Sequence, residues 1–382
     1  MPNRRDFLKG VAGATAGLWV ANHTLTGEAL AQNQEQGQGR GGRGGGARQE
    51  EAPSGPVVRR EVRVGNKRVK VIDVHAHASF PEVADVVKGT PAERFARGGG
   101  GRPMGDDRIR ELDKRGIDIQ VLDINMFWWY GVTDRDLAAK IVDVQDKGLA
   151  AWCGAHKDRF AALTSPTLQF PDLAAQQLEH AVKDLGHVGA AIGGHVEGEP
   201  LSDPKYDPFW AKAQELDVIV FMHPNGATNV AKEDAFKGRA DLGNIIGNPL
   251  ETSLFLSHLM YDGVFDKFPN LKVVAAHAGG YMPSYLGRSE VACDVRANAG
   301  CLNKKKPSEY LKSNVYADSM IFSPEGIRHM VAEMGASHIV YGTDIPLVWP
   351  DTIDAVLNAQ ISDADKEAIL GGNLTKLLHL KT

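Results

Sequence analysis

Three cysteines in 382 residues are too few for a disulfide framework to stabilise a domain of this size, even in an oxidising compartment. Cys293 and Cys301 have seven residues between them, a spacing that leaves pairing and free thiols equally open. After residue 31 no apolar stretch is long enough to cross a bilayer, which excludes a membrane span. An excess of one charge is also missing. The 43 Lys and Arg against 48 Asp and Glu leave a formal charge of -5, and the basic residues are spread through helical segments. That distribution argues against nucleic acid and for a small-molecule partner.

The N-terminal segment has a separate character. Arg4-Arg5-Asp6-Phe7-Leu8-Lys9 is a twin-arginine pattern, followed by a weakly apolar run and the small-residue site Ala29-Leu30-Ala31. Residues 1–31 are therefore expected to be a signal peptide that directs export of the folded chain to the periplasm. Residues 32–56, rich in Gly, Gln and Arg, have almost nothing to bury and read as a disordered linker. The folded domain is expected over 57–382.

Within that domain eight short runs have the apolar character of buried parallel strands. They lie near 68–76, 119–125, 160–166, 188–194, 218–224, 271–278, 314–319 and 338–344. Segments of helical periodicity lie between them, for example 134–156, 171–186 and 208–217. Eight alternations predict an α/β fold, a single-domain (β/α)8 TIM barrel. A doubly wound open sheet would also alternate, but it usually carries a glycine-rich turn after its first strand. Here the first strand ends in His-Ala-His. The segment 79–105 breaks the rhythm with FARGGGGRPMG and reads as a glycine-rich loop insertion over the barrel mouth.

Barrel enzymes carry their chemistry at the C-terminal ends of the strands, and metal-competent side chains end four of these runs. His75 and His77 are two apart on one strand, so both face the same side. His223 ends the fifth run and Asp344 the eighth. Three imidazoles and one carboxylate suit one Zn(II), with Mn(II), Co(II) and Fe(II) as alternatives. His277 ends the sixth run, ahead of Gly279 and Gly280. It reads either as a further ligand or as a general acid/base. The second role is preferred, because the other four already make a ligand set and an activated water needs a proton acceptor.

The stretches IDVHAH, RIRELDKRGIDIQVL, GAAIGGHV, VFMHP, the run from 247 to 288 and YGTDIP together resemble the amidohydrolase superfamily, from Val71 to Leu378. Within it they are similar to the metal-dependent decarboxylases typified by aminocarboxymuconate semialdehyde decarboxylase. The resemblance implies that His75, His77, His223 and Asp344 hold one zinc and that His277 is the catalytic histidine. It further implies a homodimer in which Arg288 is offered to the neighbouring subunit's substrate carboxylate. The chain departs from the pattern on the substrate side. Asn225 stands after His-Pro where the type member has an aromatic residue, and only Arg97 and Arg102 are candidates for its paired arginines. The expected activity is decarboxylation of a small unsaturated or aromatic carboxylate through a metal-activated water and a histidine acid/base. The alternative from the same residues is a metal-dependent hydrolase of a lactone, ester or amide.

Overall fold

A computed structural model describes residues 57–96, 103–227, 230–296, 298–347 and 349–380. The expected signal peptide and linker, and Arg97 and Arg102 of the glycine-rich loop, lie outside the described residues. Eight parallel strands form the centre. They are β1 (Ile72–His77), β2 (Ile119–Asp123), β3 (Phe160–Ala162), β4 (Gly189–Ile192), β5 (Ile219–Met222), β6 (Lys272–Ala275), β7 (Val315–Asp318) and β8 (Ile339–Val340). Ladders join β1 to β3 in one group and β4 to β8 in another.

Two seams of backbone hydrogen bonds close these groups into a barrel. Between β3 and β4, Val188 N–H donates to Ala162 O (2.8 Å) and Ala191 N–H to Thr164 O (2.7 Å). Between β8 and β1, Val74 N–H donates to Tyr341 O (3.0 Å), and His77 N–H to Ile345 O (2.7 Å). The chain is thus a (β/α)8 barrel, as the eight apolar runs predict. Every residue of β1, β4 and β5 is buried, because a parallel strand is covered on both faces.

Helices cover the outside, including α1 (Asp106–Arg115), α2 (Arg135–Ala155), α3 (Pro171–Lys183), α4 (Asp207–Glu215), α5 (Asn248–Tyr261), α6 (Leu286–Val295) and α7 (Pro324–Met334). Local chemistry sets their starts. Asp134 accepts from the N–H groups of Asp136 and Leu137 to open α2, Pro171 begins α3, and Ser323 Oγ accepts from Gly326 N–H to open α7.

Two features were not visible in the periodicity. The insertion at 79–105 is not wholly a loop: it contains short helices at Val83–Val87 and Glu93–Ala96, and Ser79 pairs with Pro103. The register between β1 and β2 slips between Asp73 and Ala76, an irregularity of the kind that re-aims side chains near active sites. Cys293, on α6, is bonded to Cys301, so the pair left open by sequence spacing is a disulfide. Among the described residues no helix is long and apolar enough to cross a membrane.

Candidate functional site

The strand ends deliver their polar residues to one place. His75, His223, His277 and Asp344 each offer a ligand atom, and these atoms all lie within 4.8 Å of one another. His77 joins them, with Nε2 3.0 Å from Asp344 Oδ1. From that same oxygen, His75 Nε2 is 3.3 Å and His223 Nε2 4.0 Å away, and His277 Nε2 lies 3.9 Å from Oδ2. A main-chain bond from Asp344 N–H to His75 O (2.7 Å) ties the first and last strands together at this point.

Two buried carboxylates stand behind the imidazoles. Asp318, at the end of β7, meets His75 Nδ1 at 2.6 Å, and Asp123, at the end of β2, meets His77 Nδ1 at 2.5 Å. Each bond turns the other ring nitrogen, Nε2, toward Asp344, as an outer carboxylate does for a metal-bound histidine. Neither carboxylate was singled out from the sequence. Their position at strand C-terminal ends was the signal that could have found them.

Asp318 also shapes the turn that carries His277. Residues 277–280 all have positive φ, 54° and 58° at His277 and Ala278 and 72° and 64° at Gly279 and Gly280. The glycines accept this freely, whereas the two non-glycine residues are strained by about 1–2 kcal/mol each. Asp318 holds them there by accepting from His277 N–H (3.0 Å) and Ala278 N–H (2.8 Å). The main chain of His277 is thereby fixed, while its ring Nδ1 is buried without a partner among the described residues.

Burial disfavours a charged imidazole at His75, but the adjacent Asp344 and Asp318 outweigh it and raise its pKa to about 10. At His77 burial is likewise outweighed by Asp123 and then Asp344, and the pKa is raised. Burial and the neighbouring imidazoles hold His223 well below its ordinary value. Burial opposes ionisation of Asp344, yet the surrounding histidines drive it well below the usual carboxylate range. The pocket therefore favours positive charge at its centre. The buried His75 Nε2, His223 Nδ1 and His223 Nε2 have no hydrogen-bond partner among the described residues. Unpartnered imidazole nitrogens beside an ionised carboxylate fit a divalent ion, which would take the place of the proton that Asp344 and Asp318 favour on His75.

The expected substrate residues are placed differently. Asn225 follows β5 beside the histidines. Its N–H, with those of Gly194 and Ala227, is accepted by the buried Glu251 of α5 at 2.8–3.1 Å, a bond set that pins the loop carrying His223. Burial raises Glu251 to about 7. Asn225 Oδ1 is buried without a partner among the described residues. The Asn225 amide also packs near Gly193, where an added Cβ would lie 3.3 Å from both Asn225 Nδ2 and Phe127. Arg288 lies on α6 with an exposed side chain, and among the described residues it makes no hydrogen bond or ion pair that ties it to the histidines.

Comparison with known proteins agrees with this geometry. Residues 72–380 match the family described as Amidohydrolase. The chain is 30% identical over 280 residues to 2-amino-3-carboxymuconate-6-semialdehyde decarboxylase of Dictyostelium discoideum, covering 72% of this chain and 76% of that one. It is 31% identical over 287 residues to gamma-resorcylate decarboxylase of Polaromonas sp. (strain JS666 / ATCC BAA-500), covering 72% and 87%. A solved structure of dihydroxybenzoic acid decarboxylase from Polaromonas sp. JS666, with bound manganese and the inhibitor 2-nitroresorcinol, superposes with a TM-score of 0.70. That match has 28% identity and covers 82% of this chain and 97% of the other.

Proposed function

The chain belongs to the amidohydrolase family, and we propose that it is a metal-dependent decarboxylase of a small aromatic or unsaturated carboxylate. The observation that carries the proposal is the meeting of imidazoles around the Asp344 carboxylate, with donor atoms within 4.8 Å, at the C-terminal mouth of the barrel.

Distance alone does not separate ligands from acid/base, since His277 lies as close as the others. The outer carboxylates support a division of labour. His75 and His77 have Nδ1 held by Asp318 and Asp123 and present Nε2 inward. We assign them, with His223 and Asp344, to hold one divalent ion, Zn(II) ahead of Mn(II), Co(II) or Fe(II). When bound, the ion supplies Lewis-acid charge that orients the substrate's oxygens and offsets their negative charge. The His277 side chain is 14% exposed, against 0–6% for the other three imidazoles, and among the described residues its ring nitrogens make no bond to an outer carboxylate. A fixed backbone and a ring whose Nδ1 has no partner among the described residues suit proton transfer.

In this reading His277 donates a proton to the substrate carbon that bears the carboxylate. The bond from that carbon to the carboxylate then breaks, its electron pair restores the unsaturated system, and CO2 leaves. Solvent returns the proton to His277. Asn225 Oδ1 presents an acceptor to a substrate hydroxyl or amine. Arg288, free on the outside of α6, is assigned to the substrate carboxylate of a second copy in a homodimer, where a guanidinium fork suits the job. The twin-arginine segment supports export to the periplasm, an oxidising compartment in which the Cys293–Cys301 bond would persist.

Incubating the purified enzyme with gamma-resorcylate and a panel of aromatic acids and lactones in 18O-water tests the reaction. CO2 release without solvent oxygen in the product is expected. Cleavage that places solvent oxygen in the product would make the enzyme a hydrolase instead. Fractionation of a producing cell tests the location, with periplasmic enzyme expected.

A further inference from the structure

Trp349 is five residues beyond Asp344 and is not one of the residues that sequence reasoning singled out. Its indole N–H donates to Asp344 Oδ2 at 3.1 Å. The two oxygens of Asp344 therefore have different surroundings. Oδ1 faces the Nε2 atoms of His77, His75 and His223 at 3.0, 3.3 and 4.0 Å, whereas Oδ2 faces the indole and, at 3.9 Å, His277 Nε2.

An aspartate's terminal torsion is broad and nearly two-fold, so without a second anchor the carboxylate could turn and exchange its oxygens. Asp344 has such an anchor. An indole N–H is a donor only, so it selects an oxygen that is not donating and holds it. The indole is itself held, because its ring lies against Phe322 with centroids 5.4 Å apart and planes 31° from parallel. Phe322 follows β7 with a φ of 54°, a left-handed conformation rare for a bulky residue, and keeps its ring 40% exposed.

We propose that Trp349 is a positioning residue that engages Oδ2 of Asp344 through its N–H, leaving Oδ1 as the single oxygen presented to the ion and keeping Oδ2 beside His277. The inference rests on the ion-binding reading above. It deepens that reading by naming the group that sets the orientation of its only carboxylate ligand.

The test is chelator competition against the Mn(II)-loaded full-length protein, for the unsubstituted chain, Trp349→Phe and Trp349→Leu, with thermal melting of each. Phe keeps an aromatic ring against Phe322 and removes only the N–H. Both variants are expected to bind Mn(II) about tenfold more weakly, by similar factors, as is usual when an outer partner of a ligand is lost. Trp349→Phe holding Mn(II) as tightly as the unsubstituted chain would overturn the proposal. If in addition Trp349→Leu were weak, the indole would act by packing and not by its N–H. Failure of the unsubstituted chain to hold Mn(II) would instead remove the ion-binding reading, and this inference with it.

Discussion

Replacing Gly342 by alanine perturbs the site without replacing any side chain assigned a role in the chemistry. Gly342 sits between β8 and Asp344, where a Cβ would lie 2.9 Å from His75 Cβ and 3.0 Å from Asp318 Cβ. Carbon atoms in good contact are about 3.5–4.0 Å apart, so His75 or Asp318 must retreat by at least about 0.5 Å. Neither neighbour is the flexible tip of a side chain. Each Cβ is fixed to a buried strand, so the movement has to come from β1 or β7, and the 2.6 Å bond between His75 Nδ1 and Asp318 Oδ2 lies between them. Overpacking of this kind costs about 1–3 kcal/mol of stability. A displacement of this size at the reacting centre also costs up to about a hundredfold in turnover. The assay is thermal melting together with Mn(II) affinity and CO2 release from an accepted aromatic acid. A lower melting temperature, weaker Mn(II) binding and slower turnover are expected together. Unchanged values of all three would refute the claim that Gly342 is required by the close passage of three backbones.

Three other outcomes test other parts of the structure. His277→Asn is expected to retain Mn(II), as measured by metal analysis, while CO2 release falls by about 10²–10⁴-fold, the usual worth of a proton-transfer group. If Arg288 serves the partner's site, mixing inactive Arg288→Ala and His277→Asn subunits should restore about a quarter of the activity, because half of the dimers then hold one complete site. No recovery on mixing would place Arg288 outside the partner's site. On α2, the buried Asp146 accepts from Thr164 Oγ1 at 2.8 Å, and burial raises its pKa to about 8. A folded value above the unfolded one means that its contribution is full at low pH and is lost as pH rises toward 8, at about 1.4 kcal/mol per pH unit. Nearby His187, lowered by burial to about 4, acts in the opposite sense but only below about pH 6.5. Asp146→Asn should therefore gain stability relative to the unsubstituted protein between pH 6.5 and 8 in urea unfolding. A pH-independent difference would count against the buried carboxyl.

Much of the barrel was legible because a strand covered on both faces has to be apolar along its length, and all eight runs became strands. Their limits were less legible. β8 is only Ile339–Val340, because beyond them the chain leaves the ladder with β7 and brings Asp344, with a φ of 62°, over the mouth. The meeting of His75, His223, His277 and Asp344 could be read from strand ends, which a closed barrel gathers at one face. What those ends share by pairing was hidden. Asp123 and Asp318 look like ordinary polar ends of strands until their bonds to His77 and His75, 46 and 243 residues away, are seen. Trp349 was hidden for a related reason, since it acts from a loop with no periodicity. The register slip between β1 and β2 and the helices within 79–105 arise from tertiary packing that composition does not encode.

In the proposed site three imidazoles and one carboxylate grip a single ion. Anomalous diffraction from crystals of the Mn(II)-loaded enzyme tests it most directly. One peak is expected within about 2.0–2.3 Å of the Nε2 atoms of His75, His77 and His223 and of Asp344 Oδ1, with His277 left uncoordinated. A peak bonded to His277 in place of His77, or no peak among these residues, would contradict it.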